Sequence, residues 1–149
     1  MKWQIVTVGK PALRHARLGA EDYLKRLQRH TRVELRHIKA APEPQLSARI
    51  DEAMEQSSLR IVLDERGRKD IDTMGLLQWL NEVEAEGHHR EISVLIGAAE
   101  GHSERTRNSA DLLLSLSPFT LQHELALVLF LEQLYRIYTV RAGSPYHRP

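Results

Sequence analysis

The chain has 149 residues, of which 42% are hydrophobic and 28% charged, with a formal net charge of +1 and no cysteine. This predicts a single domain over residues 1–149 and excludes a disulfide framework, a cysteine-based zinc site and a thiol nucleophile. No stretch approaches the roughly 18 apolar residues of a membrane span, and the opening residues are too polar for a signal peptide, so we expect a soluble, cytoplasmic protein.

Hydrophobic periodicity predicts strands that alternate with helices along the chain. Strands are expected at residues 3–8, 33–38, 59–64, 91–96 and 112–117, and a charged loop, ERGRKD, follows the third. Helices are expected at residues 13–27, weakly at 46–54, at 74–83 after an N-cap at Asp70 or Asp72, at 104–108 after Ser103, and at 124–140. This alternation predicts an α/β fold, a mostly parallel sheet with flanking helices.

The last predicted helix, LALVLFLEQLYRIY, is apolar nearly all round. Such a helix must be covered on more than one side. In so small a domain the natural cover is a second subunit, with Leu131 and Leu134 in the interface, and the alternative is a core helix inside a monomer. The sequence favours a dimer.

Positive charge is concentrated near the N-terminus. Residues 10–39 carry nine Lys/Arg and three acids. Basic patches of this kind attract the phosphates of nucleic acids. A solvated helix face is the alternative interpretation.

The stretch ISVLIGAAEG carries a buried-looking strand into Gly97 and Gly101. Ligands of parallel sheets bind beyond such strand ends, but the stretch matches neither a dinucleotide fingerprint nor a phosphate-binding P-loop, and a tight turn without a ligand is equally compatible. His123 and Glu124 begin like a zinc helix motif whose second histidine is replaced by Leu127, and His88-His89 indicates a surface turn. No metal site is expected.

The ending, AGSPYHRP, is incompatible with a helix because Pro145 follows Gly and Ser. It gathers Tyr146, His147 and Arg148, whose side chains can stack on bases, move protons and hold phosphates. A frayed chain end is the alternative.

Five motifs occur in one order: L-D-x-x-G from Leu63, L-I-G-x-x-E-G around Gly97, L-S-x-x-T-L-x-H from Leu116, E-Q-L-Y-R, and P-Y-H-R at the end. In the order of these motifs and in its length, the chain resembles the SPOUT-class ribosomal RNA large subunit methyltransferase H family. The resemblance implies a homodimer with a C-terminal trefoil knot that uses S-adenosylmethionine to methylate N3 of a pseudouridine in large-subunit 23S rRNA, free or in the assembled ribosome. It implies no membrane and no metal partner.

The resemblance also implies roles for particular residues. The cofactor-binding residues would be Leu63, Gly97, Leu116, Ser117, Pro118, Phe119, Thr120 and Leu121. N3 of pseudouridine must lose a proton, which makes His147 the first candidate base or orienting group and His123 its rival, while Tyr146 would stack on the base and Arg148 would hold its phosphate. Arg14, Lys25, Arg26 and Arg29 are proposed RNA contacts.

Three positions depart from the family pattern: Ala98 replaces a second glycine, Gln122 a proline, and Leu127 an arginine. Two other classes of function stay open beside the methyltransferase. They are a non-catalytic RNA-binding α/β module, favoured by the basic N-terminal helix, and a small nucleotide-binding regulator that uses the Gly97 loop.

Overall fold

A computed structural model describes residues 1–97 and 101–149. Its strands are β1 (Lys2–Val8), β2 (Arg32–Ile38), β3 (Leu59–Arg68), β4 (Glu91–Ile96) and β5 (Leu112–Leu114). Its helices are α1 (Arg14–Leu27), α2 (Gln45–Met54), α3 (Thr73–Ala85), α4 (Glu104–Asn108) and α5 (His123–Arg141).

The five strands form one sheet in the order β2-β1-β4-β3-β5, and all four neighbouring pairs are parallel. Parallel pairing places the carboxyl ends of β3, β4 and β5 at one edge of the sheet, so the loops that leave these strands lie side by side. The predicted fold class, a parallel α/β sheet with flanking helices, is confirmed.

The core has two parts because alternate strand residues point to opposite faces of the sheet. On one face, residues such as Trp3 and Ile61 pack with the apolar sides of α1, α3 and α5. On the other face, Val6, Val62 and Leu95 pack against α2. Both faces are therefore covered, as the near-continuous apolar runs of the strands require.

Helix α5 packs into the core of its own chain. Leu131 and Leu134 are fully buried there, and α1 packs along α5 closely enough that a Cβ on Gly19 would lie 3.0 Å from Val128. The prediction that Leu131 and Leu134 lie in a subunit interface is wrong, because α1, α3 and the sheet already cover that side of the helix. Two large apolar residues of α5, Leu125 and Leu129, are exposed.

Two strands differ in length from the prediction. Strand β3 continues to Arg68, which pairs with Leu114 after a register shift, so part of the predicted charged loop is strand. Gly67 lies so close to β5 that an added Cβ would be 2.6 Å from the Leu114 backbone. Strand β5 ends at Leu114 instead of residue 117, because the Ser115 hydroxyl turns to the Ser117 carbonyl at 2.9 Å.

Side chains cap three helices. The predicted caps Asp72 and Ser103 accept hydrogen bonds from the amides of Gly75 and Thr106. Gln122 caps α5 by accepting from the amides of Glu124 and Leu125 at 2.8 and 3.0 Å. A cap thus stands at the position where the family pattern has proline.

Within the described residues, every helix is too short or too polar to cross a membrane.

Candidate functional site

A cleft opens at the sheet edge where β3, β4 and β5 end. The volume of this cleft is about 140 Å³. Its walls come from β3, from the loops after β4 and β5, and from the start of α5. The lining residues are Leu63, Asp64, Glu65, Ile96, Gly97, Gly101, His102, Leu114, Ser115, Leu116, Ser117, Phe119, Thr120, Leu121, His123 and Ala126.

Seven of the eight predicted cofactor residues line this cleft, and Pro118, which is exposed, does not. The loop that carries most of them follows β5. Its shape is fixed locally, because the Ser117 side chain accepts a hydrogen bond from the Phe119 amide at 2.9 Å. Phe119 itself is 78% exposed at the mouth of the cleft, so its ring is available to a bound molecule.

Asp64 joins the irregular part of β3, between Leu63 and Arg68, to the loop after β4. Its carboxylate is buried and accepts hydrogen bonds from the Arg66 amide at 2.9 Å and the His102 amide at 3.1 Å. The nearest guanidinium nitrogen of Arg66 is 3.8 Å away. Asp64 therefore holds two cleft-forming segments in register while bringing negative charge to the cleft wall.

Gly97 and His102 lie in direct contact at the end of β4. A Cβ on Gly97 would be 1.8 Å from Cε1 of His102, so the imidazole occupies the space that any other side chain would need. Glycine is required at position 97 by this close approach. A substitution such as Gly97→Val displaces the His102 ring before it reaches a ligand.

The start of α5 is anchored to the start of α1 through Glu124. The Glu124 carboxylate is buried and accepts hydrogen bonds from the amides of Ala12 and Leu13. Burial alone would raise the pKa of Glu124, but these amide bonds lower the pKa below its ordinary value. The anchor holds His123, the first residue of α5, against the cleft.

Leu127, where the family pattern has arginine, is fully buried in the core one turn beyond His123. Its apolar side chain matches this surrounding, and the charge of an arginine is absent from the position. Ala98, the third departure, lies outside the described residues.

The C-terminal tail lies away from the cleft. The Tyr146 hydroxyl donates to Glu132 at 3.2 Å, and the Tyr146 ring packs edge-on against Tyr135 with 4.8 Å between centroids. Burial, followed by contacts with Tyr23 and Glu132, raises the pKa of Tyr146. Nη1 of Arg136 is 3.3 Å from Nδ1 of His147, and because arginine only donates, Nδ1 is the acceptor.

The structure therefore separates the predicted catalytic residues. His123 lines the cleft with the predicted cofactor residues, whereas Tyr146 and His147 pack on the middle of α5. Ala126 lines the cleft and Arg136 contacts the tail, and ten residues of α-helix span about 15 Å. Arg148 is exposed beyond them.

The predicted RNA-binding residues in α1 and just after it are all exposed: Arg14, Lys25, Arg26 and Arg29. Arg26 forms an ion pair with Asp22 at 3.2 Å and lies over the rings of Tyr23 and Tyr135. Among the described residues the other three form no ion pair. Helix α1 thus presents basic groups next to the aromatic cluster that holds the tail.

One His/Glu group lies at the opposite end of the sheet. Ligand atoms of Glu86, His88 and His89 lie within 4.8 Å of one another in the turn before β4. The two histidines form the surface turn that the sequence indicates. This group takes no part in the cleft.

Sequence reasoning missed Asp64, Glu65 and His102 as cleft residues. Asp64 had one signal, its place in the L-D-x-x-G motif at a strand end. His102 had none, because nothing in its neighbourhood predicts that its ring packs on Gly97.

The protein has a parallel sheet with a cleft at the carboxyl ends of its strands, and residues of the motifs described above line that cleft. These features are those of a methyltransferase of the SPOUT class. Residues 1–147 match the family described as "Predicted SPOUT methyltransferase". The chain belongs to the SPOUT methyltransferase family.

Among similar proteins, "Ribosomal RNA large subunit methyltransferase H" from Thermus thermophilus is 46% identical over the full length of both chains. The protein of the same name from Deinococcus radiodurans is 40% identical over 99% of each chain. A solved structure from Bordetella pertussis Tohama I, described as a probable methyltransferase, superposes with a TM-score of 0.62 at 13% identity, covering 91% of this chain and 95% of the other. A methylase family protein from Neisseria gonorrhoeae superposes with a TM-score of 0.57 at 13% identity, covering 99% and 86%. At that identity the structural likeness supports the fold alone.

Proposed function

We propose that this protein transfers a methyl group from S-adenosylmethionine to N3 of a pseudouridine in large-subunit rRNA. One observation carries the proposal. Seven of the residues that the family resemblance predicts to bind the cofactor line the same cleft, and the chain belongs to a methyltransferase family. Full-length relatives named as large-subunit rRNA methyltransferases support the substrate class. We place the activity in the cytoplasm, with the ribosome.

The chemistry of the cleft suits this cofactor. Leu63, Ile96 and Leu114 supply apolar walls for an adenine ring, and the loop after β5 offers backbone donors and acceptors. The carboxylates of Asp64 and Glu65 give the wall a negative charge that attracts a cationic sulfonium and ammonium. The cofactor supplies an activated methyl group, so the protein needs to orient it and prepare the acceptor nitrogen.

The acceptor nitrogen must lose a proton to a base, and two histidines are the candidates. His123 is in place at the cleft, but the tail of the same chain lies away from it. His147 sits beside Tyr146 and Arg148, but its Nδ1 faces Arg136 and must leave that contact to take a proton. We assign His147 as the base or orienting group and His123 as the rival, because the tail also brings an aromatic ring and a cation for the nucleotide.

The distance between the tail and the cleft of one chain supports a dimer with composite sites. In our proposal the tail of one subunit completes the cleft of the other. Leu125 and Leu129 of α5, together with Leu18 of α1, are 37–48% exposed and supply an apolar surface for the contact. The trefoil knot that the resemblance implies belongs to this proposal as well.

The proposal is tested by titrating the full chain with S-adenosylmethionine in a calorimeter and by assaying methyl transfer to undermodified ribosomes. Saturable cofactor binding and one methyl group at N3 of a pseudouridine are the expected results. Binding of RNA without binding of the cofactor would favour the non-catalytic RNA-binding module. Binding of nucleotides without methyl transfer would favour the small regulator.

A further inference from the structure

His102 is a buried polar side chain to which the proposed function gives no role. It is 8% exposed and lines the cleft, and its Nε2 has no hydrogen-bond partner among residues 1–97 and 101–149. A buried nitrogen without a partner costs free energy in the unliganded protein. The His102 ring lines the cleft but Nε2 itself is shielded, so a bound ligand would reach this atom through a small shift of the ring.

The role open to Nε2 of His102 depends on which ring nitrogen carries the proton. Nε2 is the ring nitrogen without a partner, and a neutral imidazole carries its proton on one nitrogen only. We take the tautomer with the proton on Nδ1. In the neutral ring Nε2 then carries a lone pair.

We propose that His102 is a positioning residue of the cofactor site, whose Nε2 accepts a hydrogen bond from an amino or hydroxyl group of bound S-adenosylmethionine. This inference rests on the proposed function. The contact of the ring with Gly97 holds Nε2 at the end of β4, and the Asp64 carboxylate fixes the His102 backbone from the other side. The ring is thus placed before the ligand arrives.

Acidification is expected to remove this contact. Burial lowers the pKa of His102 below 6.5, against opposing effects of the Asp64 charge and the Leu63 backbone, and the Arg107 charge lowers it further. Glu65 and His123 line the same cleft. Protonation below pH 6.5 turns Nε2 from an acceptor into a donor and places a positive charge beside a cationic ligand.

A purely structural role for His102 makes the opposite prediction about cofactor affinity. If the ring only filled space over Gly97, His102→Leu would leave cofactor affinity unchanged. If Nε2 awaits a ligand, the same change removes an unpaired buried nitrogen and raises the thermal midpoint of the free protein while weakening binding. His102→Gln keeps an acceptor oxygen near the position of Nε2 but cannot titrate.

The experiment is calorimetric titration of the full chain with S-adenosylmethionine, S-adenosylhomocysteine and adenosine at several pH values from 8 to 5.5. At pH 8, His102→Leu should bind S-adenosylmethionine about tenfold more weakly than the wild type, with His102→Gln within about threefold of it. As the pH falls through the lowered pKa of His102, the wild type should lose more affinity than His102→Gln. The exposed His88→Leu is the matched control and should behave as the wild type. If His102→Leu also binds adenosine more weakly than the wild type does, the hydrogen-bond donor to Nε2 belongs to the nucleoside part of the cofactor.

Equal affinity of His102→Leu and the wild type, both folded, would overturn the inference and leave the proposed function standing. A wild type that binds none of the three ligands would overturn both. If His102→Leu fails to fold, the pH profiles of the wild type and His102→Gln decide, and superimposable profiles would reject the contact.

Discussion

The cleft at the ends of β3, β4 and β5 and the tail after α5 are built in different ways. Strand β3, the loops after β4 and β5 and the first turn of α5 close the cleft within one chain, with Asp64 and Glu124 holding these segments together. The tail contacts α5 and Tyr23 of α1, about 15 Å along the helix from the cleft. One chain therefore completes the cleft that we propose for the cofactor but leaves the groups proposed to act on the acceptor elsewhere. In this family member, cofactor binding and methyl transfer should be separable by mutation.

Deletion of residues 145–149 should give the largest separation. We expect methyl transfer to ribosomes to fall by at least about 10²-fold, because the base or orienting group is lost, while the cofactor dissociation constant measured by calorimetry stays unchanged. Removal of Pro149 alone is the control. A deletion variant that methylates at the wild-type rate would show that the tail is a frayed end.

Mixed dimers sharpen the same comparison. A chain without residues 145–149 can be combined with a chain whose cleft is blocked by Leu121→Asp, after calorimetry has established that the latter binds no cofactor. If the tail acts on the partner's cleft, the mixture should recover activity that neither variant has. If each tail serves its own cleft, the mixture should be inactive.

Substitution of the two candidate bases should have the next largest effect. His147→Ala is expected to lower the single-turnover rate at saturating cofactor and RNA by about 10²-fold, the usual contribution of a general base. His123→Ala should lower the rate less and affect cofactor affinity more, because His123 lines the cleft. The reverse order of the two rate effects would make His123 the base. Tyr146→Phe keeps the aromatic ring and serves as a control for damage to the tail.

The sequence predicted local features of this fold better than long-range ones. The bounds of β4 and α4 and the cap Ser103 were predicted correctly, and the cap of α3 is one of the two predicted residues, Asp72, because periodicity and capping depend on neighbouring residues. The extension of β3 depends on pairing with Leu114 of a distant segment, which no local pattern reports. The apolar sequence of α5 likewise predicts that the helix is covered, but it does not predict which elements cover it.

The same limit applies to the candidate site. Motif order placed seven residues in the cleft, including Gly97, but not the reason for that glycine, which is the His102 ring against its Cα. The position of the tail on α5 depends on contacts of Tyr146 with Glu132 and Tyr135, which are remote from the strand ends. Residue types predicted the chemistry of the tail, whereas its distance from the cleft required the fold.

The dimer itself can be tested on α5 with two leucines of opposite exposure. Leu129, 38% exposed, is proposed to face the partner, whereas Leu131 is fully buried in its own chain. Leu129→Lys should weaken dimerisation at least about tenfold in sedimentation equilibrium and leave the circular dichroism spectrum intact. Leu131→Lys should unfold the chain, because it buries an unpaired charge.

Two results would contradict this assignment. If Leu129→Lys dimerises as tightly as the wild type, the subunit interface lies elsewhere on the molecule. A wild type that sediments as a monomer at micromolar concentration would reject the dimer and the composite site with it.

The smallest expected effect concerns α1, whose basic residues adjoin the tail through Tyr23 and Tyr135. Charge reversal of Arg14, Lys25 or Arg29 should lower RNA affinity and reduce the slope of log affinity against log salt by about 0.7–0.9 per lost phosphate contact. Arg26 should contribute less, because Asp22 already neutralises it. The matched control is Arg105→Glu. Arg105 forms an ion pair with Asp51 of α2, on the face of the sheet opposite α1.

The kinetic consequence distinguishes positioning from binding. If α1 only holds the RNA backbone, saturating RNA should restore the single-turnover rate of the α1 variants, whereas no RNA concentration should rescue loss of the tail. The cofactor affinity of these variants should match the wild type, because the described residues that line the cleft all come from outside α1. An unchanged salt slope would identify the basic face of α1 as a solvated surface and confine RNA recognition to the tail and the cleft mouth.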